Sequence, residues 1–74
     1  MKTTQLAKNT GSGNGGCPGL HLAEDGTIVA LGPAADAATF AQLPNVLLGE
    51  QAVCGIDPDV ILRAADELRR RGFR

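Results

Sequence analysis

Aromatic residues are almost missing from this chain of 74 residues, which has no tryptophan or tyrosine and only two phenylalanines, Phe40 and Phe73. Proteins that bind unpaired bases or sugars usually stack them on aromatic side chains. The scarcity of aromatic rings therefore argues against both of these ligand classes.

A charge of one predominant sign is also lacking, because the formal net charge is −1. A near-neutral chain has no overall field to attract nucleic acid or an anionic membrane. The stretch Met1–Lys8 contains no apolar run of the length that a secretory signal or a membrane span requires. We therefore expect a cytoplasmic protein that does not bind membranes and is a poor candidate for general DNA binding.

The residues that could carry chemistry are few: His21 is the single histidine, and Cys17 and Cys54 are the two cysteines. Structural zinc takes four ligands, and these residues would supply three. A catalytic nucleophile needs a base held by an orienting group, which a lone histidine on a strand does not provide. We predict a protein that is not an enzyme, with no catalytic, metal-binding or cofactor-binding residues and no cofactor. A reducing cytosol favours free thiols, although a Cys17–Cys54 disulfide remains an alternative.

Glycine is concentrated in one stretch, Gly11 to Gly16, whose residues bury little and have high backbone entropy. Residues 1–16 are therefore predicted to be a flexible tail, and residues 17–74 a single small α+β domain. A domain of this size buries only about 60% of its extended-chain surface. We expect a stability of a few kcal/mol, or help from a partner.

The first ordered unit predicted is a β-hairpin over residues 19–32, with Asp25-Gly26 at its turn. Alternation places Leu20 and Leu22 on one face of the first strand. On the second strand, either residues 28 and 30 or residues 29 and 31 share that face. The sequence leaves this register undecided.

Two further elements are predicted before the final helix. Asp36 can cap a short helix from Ala37 to Leu43 that ends before Pro44 and points Phe40 and Leu43 inward. Residues 50–56 have the alternation of a third strand with one buried side, formed by Ala52, Cys54 and Ile56.

The clearest pattern is a C-terminal helix from about Asp57 to Arg71. Asp57 is suited to the N-cap and Pro58 to the first helical position, and Ile56 and Ile61 have the spacing of a hydrophobic staple. At the other end, arginines meet the negative pole of the helix dipole, and Gly72 and Phe73 fit a Schellman motif. The predicted apolar stripe consists of Ile61, Ala64, Ala65 and Leu68. The expected element order is β-β-α-β-α, with the hairpin and third strand packed against this helix.

Residues 17–32, CPGLHLAEDGTIVALG, resemble the opening of a family of short actinobacterial proteins with a Cys-Pro pair, a Gly-Thr turn and a Val-Val-Gln-Gly strand. The resemblance continues through residues 40–44 and 49–53 and into Ile56 and Pro58. Ala30 and Leu31 depart from it, standing where the family has Val-Gln, and Gly55 interrupts the strand before the helix. These proteins are encoded beside helix-turn-helix regulators and are similar in size to the BldB and WhiJ-associated small proteins. The resemblance implies a regulatory role through protein contact.

Candidate partner-binding residues are the apolar run Val46, Leu47 and Leu48, together with Arg70 and Arg71 near the end of the helix. An apolar run outside regular structure and an unpaired sheet edge both favour contact with another protein. The expected partner is a transcription regulator or a second copy of the chain. One alternative is nucleic-acid binding by the arginines, although the helix dipole accounts for most of them. Another is a small thiol enzyme that uses Cys17.

Overall fold

The computed structural model describes residues 1–10 and 18–74. It contains three strands and two helices: β1 Thr3–Lys8, β2 Gly19–Ala23, β3 Ile28–Leu31, α1 Ala37–Ala41 and α2 Pro58–Arg70. The strands form one antiparallel sheet in the order β1-β2-β3, and α2 packs on it. The predicted α+β class is confirmed, but the element order is β-β-β-α-α and not β-β-α-β-α.

Within the described parts of the chain, no helix combines the length and apolar character needed to cross a membrane.

The first strand lies where the sequence predicted a flexible tail. Thr3–Lys8 pairs antiparallel with β2, from Thr3 opposite Ala23 to Lys8 opposite Gly19. β-branched threonines favour the extended conformation, and Leu6 and Ala7 supply apolar surface for the sheet to bury. The tail prediction therefore does not hold for residues 3–8. Residues 11–17, the remainder of the glycine-rich stretch and Cys17, lie outside the described residues.

A β-bulge interrupts β1 at Leu6. Gln5 is opposite His21 and Ala7 is opposite Leu20, so Leu6 is the extra residue on its strand. A bulge turns two consecutive side chains toward the same face of a sheet. Both Leu6 and Ala7 accordingly contribute to the core under α2.

The hairpin is confirmed, and the structure resolves its register. Leu20 is opposite Ala30 and Leu22 is opposite Ile28, so residues 28 and 30 share the face of the two leucines. In the turn, one carboxylate oxygen of Asp25 accepts from the backbone N–H and the hydroxyl of Thr27, at 3.0 and 2.6 Å. These bonds lower the pKa of Asp25.

The core is small and lies between α2 and the first two strands. Its buried members are Ala7, Val60 and Ala64, with Leu6, Leu20 and Ile56 packed around them. Among the described residues, Val60 is the one large side chain with no exposed surface. So few buried groups indicate a domain of low intrinsic stability.

The face of α2 that meets the sheet agrees with the predicted stripe at Ala64 but not at Ile61. Val60 and Ala64 are its buried residues, whereas Ile61 is 52% exposed. One residue corresponds to a rotation of about 100° around a helix. The predicted hydrophobic staple paired Ile56 with Ile61. In the structure, Ile56 packs instead against the core cluster that contains Val60.

The ends of α2 agree with the sequence in part. Asp57 is the N-cap and Pro58 the first helical residue, but the Asp57 carboxylate makes no capping hydrogen bond. At the C-terminus, Gly72 adopts a φ of 95°, and the N–H groups of Gly72 and Phe73 donate to the carbonyls of Arg69 and Leu68. This is the predicted Schellman motif.

The third strand predicted over residues 50–56 is wrong. That segment makes one isolated bridge, Val53 opposite Ala34, and Cys54 is exposed. Pro33 has no N–H to donate to the Cys54 carbonyl, so the bridge cannot extend into a ladder on that side. The short helix also ends early, at Ala41, and leaves Leu43 exposed rather than inward.

Candidate interaction surface

Residues 34–53, called the side loop below, leave the sheet and return to it. At its base the N–H of Ala35 donates to the carbonyl of Ala52 at 3.0 Å, and the N–H of Cys54 donates to Pro33 at 2.9 Å. Gly32 lets the two chain segments of the base approach, since a Cβ there would lie 2.8 Å from a Val53 methyl carbon. The base is thus a closed and defined junction.

The tip of the side loop is a built turn that holds apolar side chains outward. The carboxylate of Glu50 accepts from the N–H of Leu47 at 2.8 Å, and the N–H of Glu50 donates back to the Leu47 carbonyl at 3.0 Å. Asn45 and Gly49 take positive φ on either side. Leu47 is 69% exposed and Leu48 is completely exposed. The predicted run thus forms an apolar tip, with Val46 partly exposed beside it.

A cleft of about 450 Å³ lies beside this tip. It is lined by Phe40 of α1, by Leu43 and the following residues 44–46, and by residues 50–52 of the returning chain. Asp36 fixes the start of α1 by accepting from the N–H of Thr39 at 2.7 Å, and this bond lowers the pKa of Asp36. The cleft therefore combines apolar walls with the polar groups of Glu50 and Gln51.

The arginines of α2 are engaged with acidic side chains of the same helix. Glu67 accepts from both Arg70 and Arg71 at 3.1 Å, and Asp66 accepts from Arg69 at 3.0 Å. Arg70 and Arg71 lie at the end of α2 remote from the base of the side loop, about 20 Å along the helix. The structure therefore does not bring these two candidate residues together with residues 46–48.

The residues that could take part in catalysis or metal binding lie apart from one another. His21 lies in the central strand, opposite Gln5 and Val29, and the Cys54 thiol is 3.8 Å from the Ala34 carbonyl oxygen. Cys17, and with it the possible disulfide, lies outside the described residues. Over residues 1–10 and 18–74, no three histidine, cysteine or acidic side chains are grouped as metal ligands.

Asn9 is a structural residue that the sequence analysis missed. Its amide nitrogen donates to the Gly55 carbonyl at 2.8 Å, and its amide oxygen accepts from the N–H of Asp57 at 3.0 Å. Its own N–H donates to the Pro18 carbonyl. Asn9 thus joins the end of β1 to the start of α2, across 48 positions of sequence.

Replacing this side chain tests the junction. Asn9→Ala removes two hydrogen bonds and is expected to lower the free energy of unfolding by about 1–2 kcal/mol, measured by urea denaturation at fixed protein concentration. Gln51→Ala is the matched control, because that exposed amide is on the side loop, and it should change stability by less than about 0.5 kcal/mol. Equal stability of the two variants would show that the Asn9 bonds contribute nothing.

No family model, no curated protein and no solved structure matches this chain. The resemblance to short actinobacterial proteins therefore stays a prediction.

Proposed function

We propose that this protein is a non-enzymatic interaction module of the cytoplasm that binds a transcription regulator through the tip of its side loop. The observation that carries the proposal is the exposure of Leu47 and Leu48 on a turn closed by Glu50. A turn with two hydrogen bonds presents these side chains in a defined geometry, which lowers the entropy cost of binding.

The energetics favour a partner at this tip. Burying a leucine side chain stabilises by about 1.5–3 kcal/mol, and two exposed leucines side by side leave that free energy unused in the isolated chain. The cleft beside them, with Phe40 and Leu43 on its wall, offers a place for an apolar side chain of the partner. The apolar tip and the cleft together form a protruding surface next to a recessed one.

A protein partner fits the charges better than nucleic acid does. Arg69, Arg70 and Arg71 are paired with carboxylates, so phosphate would have to displace existing partners. The choice of a transcription regulator follows from the family resemblance, whose members are encoded beside helix-turn-helix proteins.

The experiment uses the full chain and any helix-turn-helix regulator found encoded beside its gene, with calorimetric titration as the readout. We expect binding that weakens at least tenfold when Leu47→Ser and Leu48→Ser are combined, because burial of both side chains is lost. Leu62→Ser is the matched control, since Leu62 is equally exposed but lies on α2.

Two results would count against the proposal. One is the absence of binding at about 100 µM, which is 100-fold above the dissociation constant of about 1 µM expected for a specific complex. The other is equal affinity of the double variant and the parent chain. A salt-dependent mobility shift of DNA by the chain alone would support nucleic-acid binding instead.

A further inference from the structure

Among the described residues, no strand pairs with the outer edge of β3. All four residues, Ile28–Leu31, are exposed. The N–H of Ala23 donates to the carbonyl of Thr27, and inward and outward backbone groups alternate along an antiparallel strand. Val29 therefore directs its backbone groups to β2, and Ile28 and Ala30 direct theirs away from the sheet.

Within residues 1–10 and 18–74, β1 has features that protect its edge of the sheet and β3 has none. On β1, the bulge at Leu6 disturbs the edge, lysines flank the strand, and the guanidinium of Arg63 donates to the Lys8 carbonyl at 2.6 Å. Bulges, lysines and covered backbone groups are the usual means of preventing strands from pairing at an edge. β3 has the sequence Ile-Val-Ala-Leu, without charge or proline, and its register with β2 is unbroken.

The helix side of β3 continues into an apolar shelf. α2 packs on β1 and β2, which leaves Ile28 and Ala30 exposed beside it. Arg63 marks the flank of α2 nearest β1, because it reaches Lys8. Ile61 precedes it by two residues, about 200° around the helix, and so lies on the flank toward β3. We call Ile28, Ala30 and Ile61 the shelf.

We propose that the occupant of this edge is a second copy of the chain, paired antiparallel through β3 to make a continuous six-stranded sheet. Within the bounds of β3, the outward groups match when Ile28 lies opposite Ala30 of the partner subunit. Val29 then lies opposite Val29 of the partner subunit. The two-fold axis is perpendicular to the sheet, which places both α2 helices on the same face and brings the two shelves together.

The area available sets the strength of this dimer. Strand pairing and the shelf bury roughly 800 Å² in total, which is below the size of stable specific interfaces and in the range of weak, transient ones. We therefore expect a reversible dimer with a dissociation constant on the order of 10–100 µM. The tip of the side loop takes no part in this contact, so dimerisation and regulator binding can fail independently.

The first test is sedimentation equilibrium of the full chain from about 5 µM to 1 mM, which spans the expected dissociation constant. The mass is expected to rise from 7.6 kDa toward twice that value. Ala30→Lys places a charge on the open edge and should keep the chain monomeric with an unchanged circular dichroism spectrum. Gln5→Lys, which adds the same charge to β1, is the matched control and should still dimerise.

The second test fixes the register in a chain that also carries Cys17→Ser and Cys54→Ser. Opposed residues in a non-hydrogen-bonded pair have Cα atoms about 4.5 Å apart, within the range of a disulfide. Under mild oxidation Val29→Cys should form a covalent dimer, whereas Leu31→Cys, on the same face but far from its symmetry mate, should not. A mass of 7.6 kDa at every concentration, or dimerisation of Ala30→Lys, overturns the proposal. Cross-linking at residue 31 but not at residue 29 overturns the register.

Discussion

A chain that lacks residues 1–9 is expected to be unfolded in water at 25 °C. The deletion removes β1, and with it the buried Ala7, the packing of Leu6 and the link that Asn9 makes to α2. Loss of these groups costs several kcal/mol, which is comparable to the whole stability of so small a domain. Far-ultraviolet circular dichroism should show loss of the helix signal and of cooperative urea unfolding.

Complementation supplies the control for this deletion. If β1 acts by pairing and packing, a synthetic peptide of residues 1–10 should restore the helix signal in a concentration-dependent way. The same peptide with Leu6→Ser and Ala7→Asp, which keeps the length but loses the apolar face, should not. A truncated chain that unfolds at the same urea midpoint as the full chain would mean that residues 1–9 are a dispensable tail.

Val60→Ala is expected to lower the free energy of unfolding by about 2 kcal/mol. The side chain of Val60 is completely buried between α2 and the sheet, and its neighbours Ala7 and Ala64 are too short to fill the space left by the lost methyl groups. Denaturation by urea at fixed protein concentration measures the change, with an unchanged slope showing that the fold is retained.

Leu62→Ala serves as the comparison for Val60→Ala. It removes a larger side chain from the same helix, but Leu62 is 68% exposed, so its truncation should change stability by less than about 0.5 kcal/mol. An equal loss in both variants would contradict the assignment of Val60 as the central core residue, because alanine is the best helix former and a loss at Leu62 would have to come from packing.

Local sequence chemistry was enough to predict the hairpin and the ends of α2. Gly26 and Gly72 both adopt the positive φ that their turn and cap require, and Pro58 begins the helix. These features depend on residues that are neighbours in sequence, so each can be inferred without knowing the rest of the fold.

The remaining errors concern contacts between distant parts of the chain. Residues 3–8 are too polar to be identified as a strand until β2 is beside them. Ile61 and Val60 are both compatible with a helical stripe that contains Ala64, and only the sheet selects Val60. The alternation at residues 52–56 resembled a strand, but Pro33 on the neighbouring segment cannot support one.

Part of the candidate site was also predictable from local sequence. The exposure of Val46, Leu47 and Leu48 follows from their place between Pro44 and Gly49, outside regular structure. The pairing of Glu67 with Arg70 and Arg71 follows from helical spacing. The role of Asn9 was not predictable, since its partners Gly55 and Asp57 are far away in sequence.

The junction between Asn9 and the start of α2 also has a consequence for biosynthesis. The contacts that close the core join the β1 region to α2, with 48 positions between Asn9 and Asp57 and 55 between Lys8 and Arg63. Ala64, a buried core residue, belongs to α2, so the core cannot close until α2 has been synthesised. Up to that point β1 and β3 are both exposed on the nascent chain, and a chaperone or a neighbouring nascent chain can bind them.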